Sequence, residues 1–322
     1  MELGARLARR ARGPRVRTLV VVVLSWNGAA LTRDALRSLE ACRVPETWRL
    51  HTIVVDNAST DGSPEMVRSG FPAVELLALA ENRRFAGGNN VGIRRGLERA
   101  LYAGADAVML LNNDVIADPW LLEKLLAALA EQPGAGAVAP LIYFAPPSDR
   151  IWYAGGRLSP WLAHSSHRAI RERDRGQYRS LEETGYLTGC CLMAKAEAWK
   201  QVGLLDERYF IYAEDADWCL RARAAGYGLL FVPTARLWHR VSASSGGATN
   251  AWKVYQRLRA NIALWSRNAR GAARLTWPPA LLAQQAAYAG WLLARGQFAA
   301  AAAVPRALID AATGKDPAGV KA

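Results

Sequence analysis

Acidic and polar side chains fall directly behind short apolar runs at several places in this 322-residue chain, and each placement can do chemistry. The first is Asp56-Asn57-Ala58-Ser59-Thr60-Asp61-Gly62-Ser63, which follows Ile53-Val54-Val55. A carboxylate at a strand end followed by small turn formers leaves an open shelf. Asp56 there can accept a hydrogen bond from a nucleobase N–H. Helix capping explains Asp61 and Ser63 but not Asp56. The second is Asn112-Asn113-Asp114, behind Val108–Leu111. An acid at the end of a buried strand is costly unless it is paired or holds a cation. Mg²⁺ or Mn²⁺ favours such oxygen ligands and keeps positions open for phosphates. A plain turn before the helix at Pro119 explains these residues equally well.

The third is Glu214-Asp215, with Asp217 two residues on. Acids at a helix start complement the macrodipole. A carboxylate there that faces a cleft can also serve as a general base toward a hydroxyl. The fourth is His239, in Leu237-Trp238-His239-Arg240, followed by Ser242, Ser244, Ser245, Gly246 and Gly247. A single histidine is more often structural than a ligand. His164 and His167 read as surface residues. Weaker is Asn82–Asn90, where Arg83, Arg84, Gly87 and Gly88 precede a helix. Glycines let backbone approach a phosphate, and the arginines can face a diphosphate. A turn with an N-cap accounts for the same residues, and no GxxxxGK[ST] loop is present.

The elements that must hold these residues alternate. Strands are predicted at Thr18–Ser25, Leu50–Asp56, Val74–Leu79 and Ala107–Leu111. Helices are predicted at Ala29–Ala41, Ser63–Gly70, Gly88–Ala103 and from Pro119 on. Repeated β-α-β units imply a parallel, doubly wound sheet, with ligands beyond the carboxyl ends of its strands. Residues 142–187 read as an irregular surface region. Regular structure is expected again at Thr188–Ala194, Ala196–Val202, Ala213–Ala225 and Leu229–Val232. From Ala251 the pattern is helical, broken at Pro278-Pro279.

Hydrophobic residues make up 51% of the chain, enough for a large core, which excludes a mainly disordered protein. The formal charge of +13, from 41 Lys+Arg against 28 Asp+Glu, suits an anionic partner without choosing it. No nucleic-acid motif accompanies that charge. The four cysteines form no CxxC pair, which reads as reduced thiols in a cytosolic enzyme. Arg6 to Arg17 carry no following apolar segment of signal-peptide type.

Taken in order, these clusters resemble glycosyltransferase family 2, in particular its bacterial rhamnosyltransferase-like branch. The resemblance rests on Ser25-Trp26-Asn27, DNASTDGS at 56–63, NRRFAGGNNVG at 82–92 and NND at 112–114. It continues with TGCCLMAKAEAW at 188–199, LDERYFIYAEDADWCLRARAAGY at 205–227 and the His239 segment. It implies a GT-A fold: a Rossmann-like, mostly parallel sheet flanked by helices, over residues 18–250. A basic tail, 1–17, would precede it and a helical appendage, 251–322, would follow. It implies a nucleotide-sugar site of Asn27, Asp56, Arg84, Gly88, Asn90 and Asn113. Asp114 and His239 would bind a divalent metal, Mg²⁺ or Mn²⁺. Asn112 departs from an acidic first position, so that shell leans on water and His239. Asp215 would be the catalytic base of an inverting transfer.

The resemblance further implies a donor such as dTDP-rhamnose and a glycan or polyprenyl-linked acceptor, in cell-surface polysaccharide synthesis. A UDP-hexose donor, or a non-catalytic glycan- or membrane-binding protein on the same fold, are the alternatives. Trp252, Tyr255, Trp265, Trp277, Tyr288 and Trp291 lie among basic residues in the appendage. That mixture suits either a membrane interface, on the cytoplasmic side, or packing and dimer contacts.

Overall fold

A computed structural model describes residues 16–98, 105–146, 148–241 and 250–317. The predicted basic tail up to residue 15, the end of the Gly88–Ala103 helix, and the Ser242–Gly247 segment lie outside the described residues.

The core is a ten-stranded mixed sheet. In chain order its strands are β1 (Arg17–Ser25), β2 (Trp48–Asp56), β3 (Glu75–Ala78), β4 (Ala107–Asn112), β5 (Val115–Ala117), β6 (Ala135–Phe144), β7 (Ile151–Tyr153), β10 (Glu182–Glu183), β11 (Cys191–Lys195) and β12 (Gly228–His239). A separate hairpin joins β8 (Gly156–Ser159) to β9 (His164–His167). Strand order is β10-β12-β6-β11-β4-β1-β2-β3, with β5 on β12 and β7 on β6. The helices are α1 (Ala29–Glu40), α2 (Ser63–Gly70), α3 (Arg84–Leu97), α4 (Leu121–Glu131), α5 (Ala196–Val202), α6 (Glu214–Ala224), α7 (Ala251–Asn268), α8 (Ala273–Ala294) and α9 (Phe298–Ala312).

Thr18 to Val23 are all buried, because β1 is central and covered on both faces. Its parallel neighbours β2 and β4 follow the predicted β-α-β order. The sheet is not wholly parallel, however: β11 runs antiparallel between β4 and β6. β6 has no counterpart in the sequence reading. Its Pro140 lacks a ladder N–H, and the structure sets it where β12 shifts register between Val232 and Arg236. The 142–187 stretch is less irregular than expected. β7 and the β8–β9 hairpin are short, and pairing partners rather than periodicity define them.

Helix α3 lies directly on β1. A Cβ on Gly92 would sit 2.3 Å from Val22 Cγ1, one on Gly88 2.4 Å from Leu24 Cδ1, and one on Gly96 3.0 Å from Val20 Cγ1. Glycines four apart share a helix face and alternate strand residues share a sheet face, so the two ridges mesh. Gly88, read from the sequence as a point of phosphate approach, packs here against Leu24 and Asn57. Asn90, also named for the donor site, is packed inward. It is 1% exposed. Its amide donates to Leu205 O and Glu207 Oε1 and accepts from the Leu205 N–H.

The predicted break at Pro278-Pro279 does not occur; α8 runs through both prolines. They are its sixth and seventh residues, past the first turn, so the helix gives up their i→i−4 hydrogen bonds there. The breaks fall instead at Gly271 (φ +54°) and Gly296 (φ +69°), left-handed positions that glycine takes without strain.

Candidate active site

Strands β1, β2 and β4 end together. Ser25 lies opposite Asp56, and Leu24 opposite Asn112, so three loops open at one edge of the sheet. Asn27 Oδ1 accepts from the Thr60 N–H at 2.8 Å, and the Asn27 N–H donates to Ser59 Oγ at 2.9 Å, locking the first two loops together. Trp26 beside them is exposed. Asp56 is 2% exposed. Its Oδ2 accepts from the Ser59 N–H, while Oδ1 is buried without a hydrogen-bond partner. An orphaned carboxylate oxygen at a strand end is an acceptor awaiting a donor.

Asn57 clamps the third loop. Its amide donates to Asn82 Oδ1 and Arg84 O and accepts from the Arg83 N–H. Arg84, at φ +62°, holds its guanidinium 4.5 Å from the centre of the Phe210 ring, at the rim of the cleft. Asn113 donates to Thr32 Oγ1, which in turn bonds Ser25 Oγ. Asn113 thus ties the Asn112–Asp114 turn to α1.

β5 and β12 pair antiparallel with His239 opposite Val115, which brings Asp114 and His239 together. Nε2 of His239 lies 3.0 Å from Asp114 Oδ1. The two side chains thus meet as an ion pair, with Asp114 Oδ1 and His239 Nδ1 left without a hydrogen-bond partner. No third His, Cys, Asp or Glu joins them among the described residues.

Tyr212 (φ +72°) and Ala213 (φ +66°) are both left-handed ahead of α6. Such strain costs on the order of 1–3 kcal/mol per residue and concentrates at functional sites. Here it aims Glu214 and Asp215 into the cleft. Asp215 accepts from the Gly189 N–H at Oδ2 and from the Ala216 N–H at Oδ1. Glu214 is 5% exposed and its Oε2 has no partner. Burial, then the Asp215 charge, push the Glu214 carboxyl up to about 8. Burial raises Asp215 too, opposed by the backbone N–H groups it receives. The backbone N–H groups favour the charged form of Asp215, whereas Glu214 receives no such donor at its partnerless oxygen. Asp217 is excluded from this chemistry: Arg221, Tyr209 and Asn268 occupy its carboxylate.

A cavity of about 660 Å³ joins Asn112, His239, Glu214 and Asp215 under a wall that includes Trp152 and Tyr288. Cys190 also lines it, but burial raises its thiol well above the usual range, so it is no nucleophile. His167 is not the surface residue expected. Its ring meets Trp152, Tyr153 and Tyr186, and burial lowers its pKa to about 4. Trp152, whose ring stands edge-on 4.5 Å from His239, was missed. It comes from the stretch read as irregular, and no local pattern marks it.

Residues 14–262 match the family described as glycosyltransferase like family 2. An N-acetylglucosaminyl-diphospho-decaprenol L-rhamnosyltransferase of Mycobacterium tuberculosis is 34% identical over 210 residues, which cover 60% of this chain and 67% of that protein. The dTDP-rhamnosyl transferase RfbF of Shigella flexneri is 23% identical over 61% of each chain. Among solved structures, a Pyrobaculum calidifontis mannosyltransferase in complex with GDP-Man and Mn²⁺ superposes with a TM-score of 0.59. It covers 98% of this chain and 95% of that one at 20% identity. Staphylococcus aureus TarS with UDP gives 0.53 at 15% identity, over 80% and 68%. These likenesses establish the GT-A fold.

Proposed function

Because the chain belongs to glycosyltransferase-like family 2 and is a glycosyltransferase, we propose that it moves L-rhamnose from dTDP-rhamnose to a lipid-linked glycan acceptor, with inversion, in cell-surface polysaccharide assembly. Rhamnose is the sugar named for both the Mycobacterium and the Shigella relatives, and a diphospho-decaprenol acceptor is named for the first. In this reading residues 18–250 are the catalytic domain and 251–322 an appendage, and the reaction takes place on the cytoplasmic side of the membrane.

The observation that carries the mechanism is the half-buried Asp215 carboxylate held by two backbone N–H groups beside the cavity. Asp215 takes the proton of the acceptor hydroxyl, and that oxygen attacks the anomeric carbon from the face opposite the leaving diphosphate. A single base suffices, and no covalent nucleophile is required. Asp56 Oδ1 accepts the N3–H of the thymine, and Asn27 borders the base. Arg84 faces the diphosphate, and Asn113 fixes the turn beneath it. Asp114 Oδ1 and His239 Nε2, 3.0 Å apart, would hold a divalent ion, Mg²⁺ or Mn²⁺. When bound there, it would neutralise charge on the departing nucleoside diphosphate.

The test is Asp215→Asn. Transfer should fall by about 10²–10⁴, the usual contribution of a general base, while calorimetric binding of dTDP with Mn²⁺ is retained. Loss of nucleotide binding in that variant places Asp215 in the donor site instead. Turnover with a UDP-hexose but not with dTDP-rhamnose replaces the sugar and keeps the enzyme class.

A further inference from the structure

Helix α8 is turned the wrong way round for a helix in water. Of its 22 residues only Ala273, Leu281 and Leu292 are buried. The glutamines at its middle, Gln284 and Gln285, point inward: Gln284 donates to Leu162 O, and Gln285 lines the catalytic cavity with Tyr288. The outward face is apolar. Leu275, Leu282 and Leu293 are spaced by seven and eleven residues, which puts them within about 20° of one another on a regular helix. They are 80%, 53% and 52% exposed. Between them on that face stand Pro279, Ala283, Ala286 and Gly290, all exposed. No charged residue occurs from Leu275 to Ala294. The patch continues beyond α8. The Gln284 bond ties it to the tip of the β8–β9 hairpin, where Trp161 and Leu162 are more than half exposed, and Phe298 follows at the start of α9.

We propose that this face seats the protein on an anionic phospholipid surface, with the outward stripe of α8 among the acyl chains. Charge identifies the occupant. From Ala269 to Ile309 the chain has four arginines and no aspartate or glutamate. Arg270 and Arg274 stand exposed at one end of α8 and Arg295 at the other. Arg295 stacks 4.3 Å from the ring centre of Trp291. An apolar stripe bracketed by cations is the pattern of a helix lying in a lipid interface. Among the described residues no helix is long and apolar enough to cross a membrane, so the contact is with one surface. Because the inner side of α8 lines the catalytic cavity, a docked lipid surface lies one helix thickness from Asp215. The inference is independent of the donor and base assignments, and its test uses neither sugar nor metal.

The full chain is floated with vesicles of phosphatidylglycerol or of phosphatidylcholine, and its oligomeric state is read by light scattering without lipid. The expected result is a monomer that floats with phosphatidylglycerol vesicles. The combined variant Leu275→Glu, Leu282→Glu, Leu293→Glu should lose that binding by roughly a hundredfold or more. The combined variant Arg270→Gln, Arg274→Gln, Arg295→Gln should lose about a hundredfold on anionic vesicles. All six side chains are exposed, and unchanged melting of the variants confirms that the fold is kept. Failure of the parent chain to float overturns the proposal, as does equal flotation of the leucine variant. A lipid-free dimer that the leucine variant dissociates also overturns it, because the face then belongs to a second copy.

Discussion

Replacing Glu214 by Gln tests which of two adjacent acids, Glu214 buried and Asp215 half-buried, carries the charge. In the fold Glu214 is held protonated up to about 8, against 4.5 for the ordinary side chain. Below pH 4.5 both the folded and the unfolded chain carry the proton, and Gln, the neutral isostere, changes little. As pH rises further, the unfolded chain ionises this glutamate while the fold retains its proton. The parent protein therefore loses stability relative to the variant by about 1.4 kcal/mol per pH unit, one proton's worth. Between pH 5 and 7 the gap should widen by roughly 2–3 kcal/mol. It should level off above about 8, where the folded state ionises too. With an unfolding entropy of about 2 cal/mol/K per residue, 322 residues give roughly 0.7 kcal/mol/K, so the gap appears as about 3–4 °C in Tm. The assay is thermal unfolding of both proteins across that pH range, without metal or nucleotide. Transfer at pH 7 should stay within about tenfold of the parent, because Asp215 is the proposed base. A melting difference that does not vary with pH, or a variant less stable at pH 7, refutes the reasoning: Glu214 would then be ionised in the fold. A collapse of transfer with normal melting would move the base from Asp215 to Glu214.

Asp114→Ala should weaken Mn²⁺-dependent binding of the donor nucleotide by more than about tenfold, with little change in metal-free binding; calorimetry with and without Mn²⁺ reads this, and an unchanged metal dependence takes Asp114 out of the ion's shell. Gly92→Ala forces a methyl against Val22 and should cost about 1–3 kcal/mol. That is a fall of roughly 2–4 °C in Tm, and unchanged melting would show that α3 can lift from β1 freely.

The β-α-β order of the first half was legible in the sequence because its causes are local. A Val-rich run must be covered on both faces, and polar residues directly behind such runs fall at one edge of a parallel sheet. That put Asp56, Asp114 and the residues of their loops at the cleft, and the ordered set of motifs pointed to a glycosyltransferase. It could not separate residues that line the cleft from residues that brace it. Gly88 and Asn90 belong to a quoted motif, yet one exists to let α3 touch β1 and the other to hold the Leu205 loop. Their roles follow from contacts up to 115 residues away in the chain, which no local pattern records.

Where partners decided, the sequence was silent. β6 was hidden by Pro140, and its neighbour β11 joins the sheet antiparallel. Trp152 and His167 were lost in a stretch whose strands exist only through pairing. The sequence also held the composition of α8, apolar and flanked by arginines, but not its orientation. Amphipathic residues alone do not say which face meets the protein. Only the packed structure turned Gln284 to the β8–β9 hairpin, where Leu162 O accepts from its amide, set Gln285 at the cavity and left the leucines outward.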